Sequence, residues 1–81
     1  MPLTNEERNY LELLGGNIVK KRKERGIKQK ELSDILDIDD GSLRRIEFGR
    51  TNPTTMTLYN IASALEIELK ELFDFEKDLN E

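Results

Sequence analysis

The apolar residues of this chain recur at the spacing of α-helices. Leu11, Leu14 and Ile18 follow one another at intervals of three and four positions, which places them on one face of a helix. Strict alternation of apolar and polar residues occurs only in EIELKELF, residues 66–73, and this stretch also fits a helix. The pattern therefore predicts an all-α fold.

The first helix is marked at both ends. Thr4 and Glu7 have the spacing of a capping box, so the helix is expected to begin near Asn5. It is expected to stop at Gly26, a residue that readily takes the left-handed conformation. Gly15 and Gly16 interrupt its apolar stripe, and they predict a kink, a close crossing of another helix, or a break.

Two short helices follow. The second runs from about residue 28 to residue 36 and is expected to bury Leu32, Ile35 and Leu36. The third is capped by Asp39 or Asp40, buries Leu43 and Ile46, and ends at residues 48–49. The three or four residues between these helices match the spacing of a helix-turn-helix, although ordinary helix pairs often have it too.

Two more helices complete the prediction. Thr54 is a suitable N-cap for a fourth helix, whose apolar residues are Leu58, Ile61, Ala62 and Leu65. A fifth begins near Leu69 and presents Leu72 and Phe73. Five helices with short loops and no lasting heptad repeat predict a compact bundle, and 81 residues support one such domain.

The charges are segregated along the chain. The formal net charge is −4, but residues 1–16 carry −2, residues 17–50 carry +3 and residues 51–81 carry −5. A basic middle between acidic ends is typical of a nucleic-acid-binding face with a separate partner or solvent face. Ordinary charge mixing on a helical surface would give the same distribution.

The composition also argues against several functions. Histidine and cysteine are absent, which removes the usual nucleophile–base pairs and proton shuttles of enzymes and the thiolate metal sites. No apolar run approaches the roughly 18 residues that span a membrane, and the first residues lack the apolar region of a signal peptide. We expect a cytoplasmic protein that is not an enzyme.

Residues 14–73 resemble the lambda-repressor/Cro-like, XRE-type helix-turn-helix family of bacterial and phage transcriptional regulators. The resemblance covers 60 of the 81 positions and depends on many residues at consistent spacing. They are Leu14, Gly15, Ile18, Arg22, Gly26, Ile27, Gln29, Glu31, Leu32, Ile46, Glu47, Gly49, Asn52, Pro53, Thr54, Leu58, Ile61, Ala62, Leu65, Glu71, Leu72 and Phe73. It implies a five-helix DNA-binding domain over residues 14–73, with residues 1–13 extending the first helix and residues 74–81 forming an acidic tail.

The resemblance implies roles for individual residues. Arg22 and Glu47 are expected to form a structural ion pair across the core. Gln29, at the start of the second helix, is expected to contact a DNA phosphate, because helix N-termini attract anions. Further phosphate contacts are expected from Ser42, Arg50, Thr51 and Asn52.

The third helix would be the recognition helix, with its first residues facing base edges in the major groove. The base-reading residues implied are Asp40, Gly41, Arg44 and Arg45. Arginine commonly reads guanine, so Arg45 is the leading candidate for specificity, while Arg44 could reach a phosphate or an adjacent base. Asp40 has two interpretations: a helix cap or ion pair with Arg44, or a hydrogen-bond acceptor for cytosine.

Asp37 stands where the family usually has glycine in the turn. Aspartate tolerates the left-handed conformation better than most residues, so we expect the turn to survive.

The implied function is sequence-specific binding of double-stranded DNA by a homodimer, as a transcriptional repressor on a palindromic operator. The dimer interface is expected at Leu69, Phe73, Phe75 and Leu79, and no cofactor, metal or small-molecule ligand is implied. The alternative is an antitoxin-like protein-interaction module that keeps the fold and has lost DNA affinity, which the acidic pair Asp39–Asp40 and the acidic tail favour.

Overall fold

The computed structural model describes residues 2–75 and confirms the all-α prediction. The helices are α1 (Asn5–Glu24), α2 (Gln29–Leu36), α3 (Asp40–Glu47) and α4 (Thr55–Ala64). The fifth predicted helix is a short 3₁₀ helix, Leu69–Phe73. None of the described helices is both long enough and apolar enough to cross a membrane.

The predicted helix ends are confirmed in atomic detail. The backbone N–H of Glu7 donates to Thr4 Oγ1 over 3.0 Å, and the N–H of Thr4 donates to Glu7 Oε1 over 2.8 Å, which is the reciprocal pattern of a capping box. Thr54 accepts from the N–H of Thr57 and caps α4. Asp37 ends α2 with φ 57°, so the left-handed turn is made by aspartate in place of glycine.

Helix α1 passes through its two glycines without a break, and Gly15 marks a close helix crossing. An ideal Cβ at Gly15 would lie 2.5 Å from the carbonyl oxygens of both Ile46 and Glu47, whereas at Gly16 it would meet nothing within 4 Å. Of the three predicted alternatives, the close crossing is therefore correct, and it involves only Gly15. The absence of a side chain there lets the carboxyl end of α3 rest directly on α1.

The core lies where these helices meet. Its fully buried members are Ile18, Leu32, Leu43, Ile61, Leu65 and Leu72. The prediction that Ile35 is buried is wrong, because 59% of this residue is exposed. The inward face of α2 is instead formed by Leu32 and Ser33, both fully buried, with Leu36 half-buried beside them.

Asn17 fastens the 3₁₀ helix to α1. Its side-chain amide is buried and donates to the carbonyl oxygens of Glu71 over 3.0 Å and Leu72 over 2.8 Å. These carbonyls sit at the end of a short helix, where intrahelical donors run out. The Glu71 carbonyl also accepts from the Asp74 N–H, so Asn17 adds a second donor there and provides a donor to the Leu72 carbonyl.

Candidate nucleic-acid interface

Glu47, at the carboxyl end of α3, joins three segments of the fold. The Arg22 guanidinium donates to its carboxylate through Nε over 2.9 Å and through Nη2 over 3.2 Å. Gln29, the first residue of α2, donates to the same carboxylate through Nε2 over 2.8 Å. A two-pronged arginine–carboxylate contact is both strong and directional, so this network fixes α2 and α3 relative to α1.

A second polar contact holds the other end of the α2–α3 pair. The hydroxyl of Ser33 donates to Asp40 Oδ1 over 2.6 Å. Ser33 is fully buried in α2, and Asp40 opens α3. One polar contact near each end of α3 therefore joins it to α2, and together the two contacts fix the orientation of α3 relative to α2.

The Asp40 contact matches neither of the two structural roles predicted for this carboxylate, the helix cap and the ion pair with Arg44. Asp39, not Asp40, is the N-cap of α3, and among the described residues no ion pair joins Asp40 to Arg44. The carboxylate of Asp40 accepts a hydrogen bond from α2 instead. The carboxylate of Asp40 is therefore held against α2, and the residue is half-buried.

Asp39, Ser42 and Arg45 form a hydrogen-bonded chain over the amino end of α3. The Ser42 N–H donates to Asp39 Oδ2 over 3.1 Å, and the Ser42 hydroxyl donates to Asp39 Oδ1 over 2.6 Å. Arg45 Nη2 then donates to Ser42 Oγ over 3.2 Å. The two Ser42 hydrogen bonds, the hydroxyl's foremost, and the charge of Arg45 lower the pKa of the Asp39 carboxyl below its ordinary value.

Gly41 provides space for this arrangement. An ideal Cβ at this position would lie 3.1 Å from Asp39 Oδ2 and 3.4 Å from Arg45 Nη1. A side chain there would press on the Asp39 carboxylate and come into ordinary van der Waals contact with the Arg45 guanidinium. Gly41 therefore leaves room for the Asp39 cap.

A groove runs from the amino end of α3 to the amino end of α4. Four predicted contact residues line it together: Ser42, Arg45, Thr51 and Asn52. Thr54 and Thr57, the capping pair of α4, line its far side. The groove thus combines a guanidinium, hydroxyls and an amide beside a helix N-terminus, which is the chemistry that binds a phosphate.

Arg44, Arg50 and Gln29, which were also predicted to contact DNA, are not among the residues that line this groove. Arg44 and Arg50 are both exposed. Gln29 lies at the amino end of α2, half-buried, with its amide held by Glu47. An amide nitrogen carries two hydrogens, so Gln29 retains one donor beyond the bond to Glu47.

The residues predicted for a dimer interface are mostly engaged within the chain. Leu69 and Phe75 are half-buried against the core, and the Phe75 ring meets the Tyr10 ring edge-on with centroids 5.2 Å apart. Phe73 is 39% exposed. Leu79 lies outside the described residues, as does the predicted tail from residue 76 onward.

Sequence reasoning did not name Thr57 as a residue of this groove, and it missed Ser33, which is fully buried and supports α3 through Asp40. Thr54 was predicted as a helix cap, but no sequence pattern in the loop before it shows that this loop brings Thr54 close to α3. Ser33 is one polar position among several in α2, and only its complete burial distinguishes it.

The family model described as helix-turn-helix matches residues 18–72 of this chain. An uncharacterised HTH-type transcriptional regulator of Sinorhizobium fredii, y4dJ, is 38% identical over 60 residues, which are 74% of this chain and 78% of that protein. The ImmF control region 10 kDa protein of Bacillus phage phi105 is 41% identical over 59 residues, which are 73% of this chain and 66% of that protein.

The fold is also similar to a solved structure. The restriction-modification controller protein C.AhdI of Aeromonas hydrophila superposes with a TM-score of 0.75 and 28% identity, over 78% of this chain and 96% of that one. The family and these relatives support a DNA-binding transcriptional regulator. With α2 and α3 as the paired helices, the chain belongs to the XRE-type helix-turn-helix family.

Proposed function

We propose that this protein is a sequence-specific regulator, acting as a repressor, that binds double-stranded DNA with α3 in the major groove. One observation carries the proposal. On the exposed face of α3, Arg44 and Arg45 are solvated, whereas the two carboxylates at its amino end are held by hydrogen bonds within the protein. This surface therefore offers guanidinium groups to a polyanion even though the chain as a whole is acidic.

Asp39 and Asp40 do not cancel the positive charge of this surface. Asp39 accepts two hydrogen bonds from Ser42, and Asp40 accepts one from Ser33. A carboxylate at a helix N-terminus also faces the positive end of the helix dipole, which offsets part of its charge. In the proposed complex, Arg45 leaves Ser42 and turns to a base edge.

The contact residues divide into two groups. Arg45 reads guanine through O6 and N7, with Arg44, Asp40 and Gly41 beside it on the base-facing surface. The backbone contacts are made by the groove residues and the two flanking positions: Ser42, Thr51, Asn52, Arg50 and Gln29. Phosphate contacts set position and overall affinity, and base contacts set the preferred sequence.

Dimerisation follows from the size of the recognition element. Helix α3 has 8 residues, and only its first turns reach the bases, so one copy reads few base pairs. Two copies related by a two-fold axis read two half-sites about one helical turn apart, or about 10 base pairs. The proposed operator is therefore palindromic.

Selection of binding sequences from a random duplex library tests the proposal directly. The wild-type chain is expected to enrich a palindromic motif, and a folded variant with both Arg44→Ala and Arg45→Ala is expected to enrich none. Enrichment of the same motif by that variant would contradict the assignment of α3. If the folded wild-type chain enriches nothing at low salt, the protein-interaction module is the better account.

A further inference from the structure

The outer face of α4 differs from the rest of the molecule in its charge. Residues 51–65 contain no Asp, Glu, Lys or Arg, in a chain where 37% of residues are charged. This is the longest uncharged stretch of the sequence, and α4 lies within it. Depletion of charge, together with tyrosine and methionine, characterises the centre of protein–protein interfaces.

Large apolar side chains stand exposed on this face. Met56 is 61% exposed and Tyr59 is 53% exposed. With Ser63 they follow helical spacing of three and four, so they form one ridge along α4. Neither the core nor the proposed DNA groove uses this ridge.

A groove runs along each side of the ridge. On one side, Ile35 and Leu36 of α2 face Asn60, Ser63 and Ala64. On the other, Tyr59 and Ser63 face Ile67 and Leu69. Ser63 borders both grooves and therefore lies at the centre of the surface.

We infer that the α4 ridge (Met56, Tyr59, Ser63) and its two grooves are the surface on which a second copy of this chain docks. A two-fold contact needs a surface that fits its own copy, and a ridge flanked by grooves meets this need when the ridge of each copy enters a groove of the other. The scarcity of charge matters for the same reason. Two acidic chains repel each other least where they present few charges, and Glu68 is the one charged residue that lines either groove.

The choice of a second copy as partner rests on the proposed function, which requires two copies on DNA. Leu69, which the sequence predicted for the dimer, lines one of the grooves. Phe73 and Phe75 do not line either groove, and Phe75 is already packed on Tyr10. The interface therefore shifts from the carboxyl-terminal helix to α4.

Opposite charges at Ser63 test this interface, because near a two-fold axis a residue lies close to its own copy. We expect Ser63→Lys and Ser63→Asp, each alone, to raise the dimer dissociation constant at least about tenfold in sedimentation equilibrium without DNA. An equimolar mixture of the two is expected to recover the dimer. Met56→Glu gives a second way to weaken it, and circular dichroism checks that each variant is folded.

Two matched pairs provide the controls. Asn9→Lys and Asn9→Asp place the same charges on the exposed face of α1 and are expected to leave the dimer unchanged. Phe73→Lys and Phe73→Asp test the competing surface and are also expected to leave it unchanged. A wild-type chain that stays monomeric, folded Ser63 variants that dimerise normally, or dissociation by the Phe73 pair alone would overturn the inference.

Binding to DNA separates this inference from the proposed function. Folded Ser63 variants are expected to bind a duplex with one half-site as the wild type does, and to lose the added affinity for a duplex with two. If Ser63 controls self-association but no duplex is bound, the interface stands and the proposed function fails. If the wild type binds two half-sites and the Ser63 variants do so equally well, the function stands and the interface fails.

Discussion

The buried and exposed faces of α3 use charged residues in opposite ways. On the buried face, the side chain of Glu47 is 2% exposed and is bound by Arg22 and Gln29. On the exposed face lie Arg44 and Arg45, and both Arg45 and the exposed N-cap Asp39 bond Ser42. One helix of 8 residues therefore joins a buried ionic anchor to a solvated charged surface.

Burial explains why these charges have different consequences. A buried charge that loses its partner remains desolvated, so the cost falls on stability. An exposed charge is solvated whether or not it is paired, so its removal affects mainly what the surface binds. Substitutions on the buried face should therefore unfold the protein, and those on the exposed face should change its DNA binding.

The largest effect is expected from Arg22→Met, which leaves the Glu47 carboxylate buried without its main partner. Unfolding by urea is expected to show a loss of about 3–5 kcal/mol. The double variant Arg22→Met/Glu47→Leu removes both charges and should recover most of that loss. A single variant as stable as the wild type would show that the pair is not an anchor.

Arg45→Ala and Gln29→Ala separate base reading from backbone contact. Arg45→Ala is expected to lose about 1–3 kcal/mol of discrimination at one base pair, because it removes a bidentate contact to guanine. Gln29→Ala should weaken binding to all sequences alike. Competition titrations with single-base variants of the selected duplex measure both effects.

Since Gln29 also donates to Glu47, its variant needs an unfolding measurement alongside the titration. Identical binding profiles for the two variants would contradict the division between base-reading and phosphate-contacting residues.

Ser33→Ala tests the hydrogen bond between α2 and Asp40, the first residue of α3. It deletes the hydroxyl that holds Asp40, and because Asp40 is partly solvated the expected loss of stability is only about 1 kcal/mol. The released carboxylate should also weaken DNA binding by repelling phosphate. Adding Asp40→Asn to this variant is expected to restore DNA affinity. If it does not, the charge of Asp40 is not what Ser33 controls.

The smallest effect is expected on the stability of the fold at acid pH. The pKa of Asp39 is lowered in the folded protein, so its carboxylate stabilises the fold above the ordinary value of 3.8, and that contribution is lost as the pH falls through the lower folded value. In Asp39→Asn, the asparagine side chain can still cap the helix, but it has no carboxyl group to titrate. The unfolding midpoint of this variant should therefore vary less between pH 5 and pH 2 than that of the wild type. Equal pH dependence would contradict the role assigned to Asp39.

Local signals in the sequence predicted the helix ends well. The capping box at Thr4, the cap at Thr54 and the left-handed turn at Asp37 depend on residues within a few positions of one another, so the pattern contains the information. The family resemblance implied that Ser42, Thr51 and Asn52 contact phosphates and that Arg45 contacts a base. The structure adds that they share one groove.

The errors and omissions concern contacts made over longer distances. Leu32, Ile35 and Leu36 fit one helical face, but α2 has only 8 residues, too few for spacing alone to show which side turns inward. The buried face is instead centred toward Ser33, whose hydroxyl is satisfied by Asp40 of the next helix. Likewise, Asn17 bonds carbonyls 54 and 55 positions away.

The central claim is that the exposed face of α3 binds the DNA polyanion, and a salt series tests it most directly. The selected duplex is titrated with wild-type protein and with the Arg44→Ala/Arg45→Ala variant over a range of monovalent salt. For the wild type, the association constant should fall steeply, with a log–log slope of about one unit per phosphate contact, and the variant should bind more weakly at every concentration. No binding at low salt, or binding that neither salt nor the loss of both arginines changes, would contradict the account.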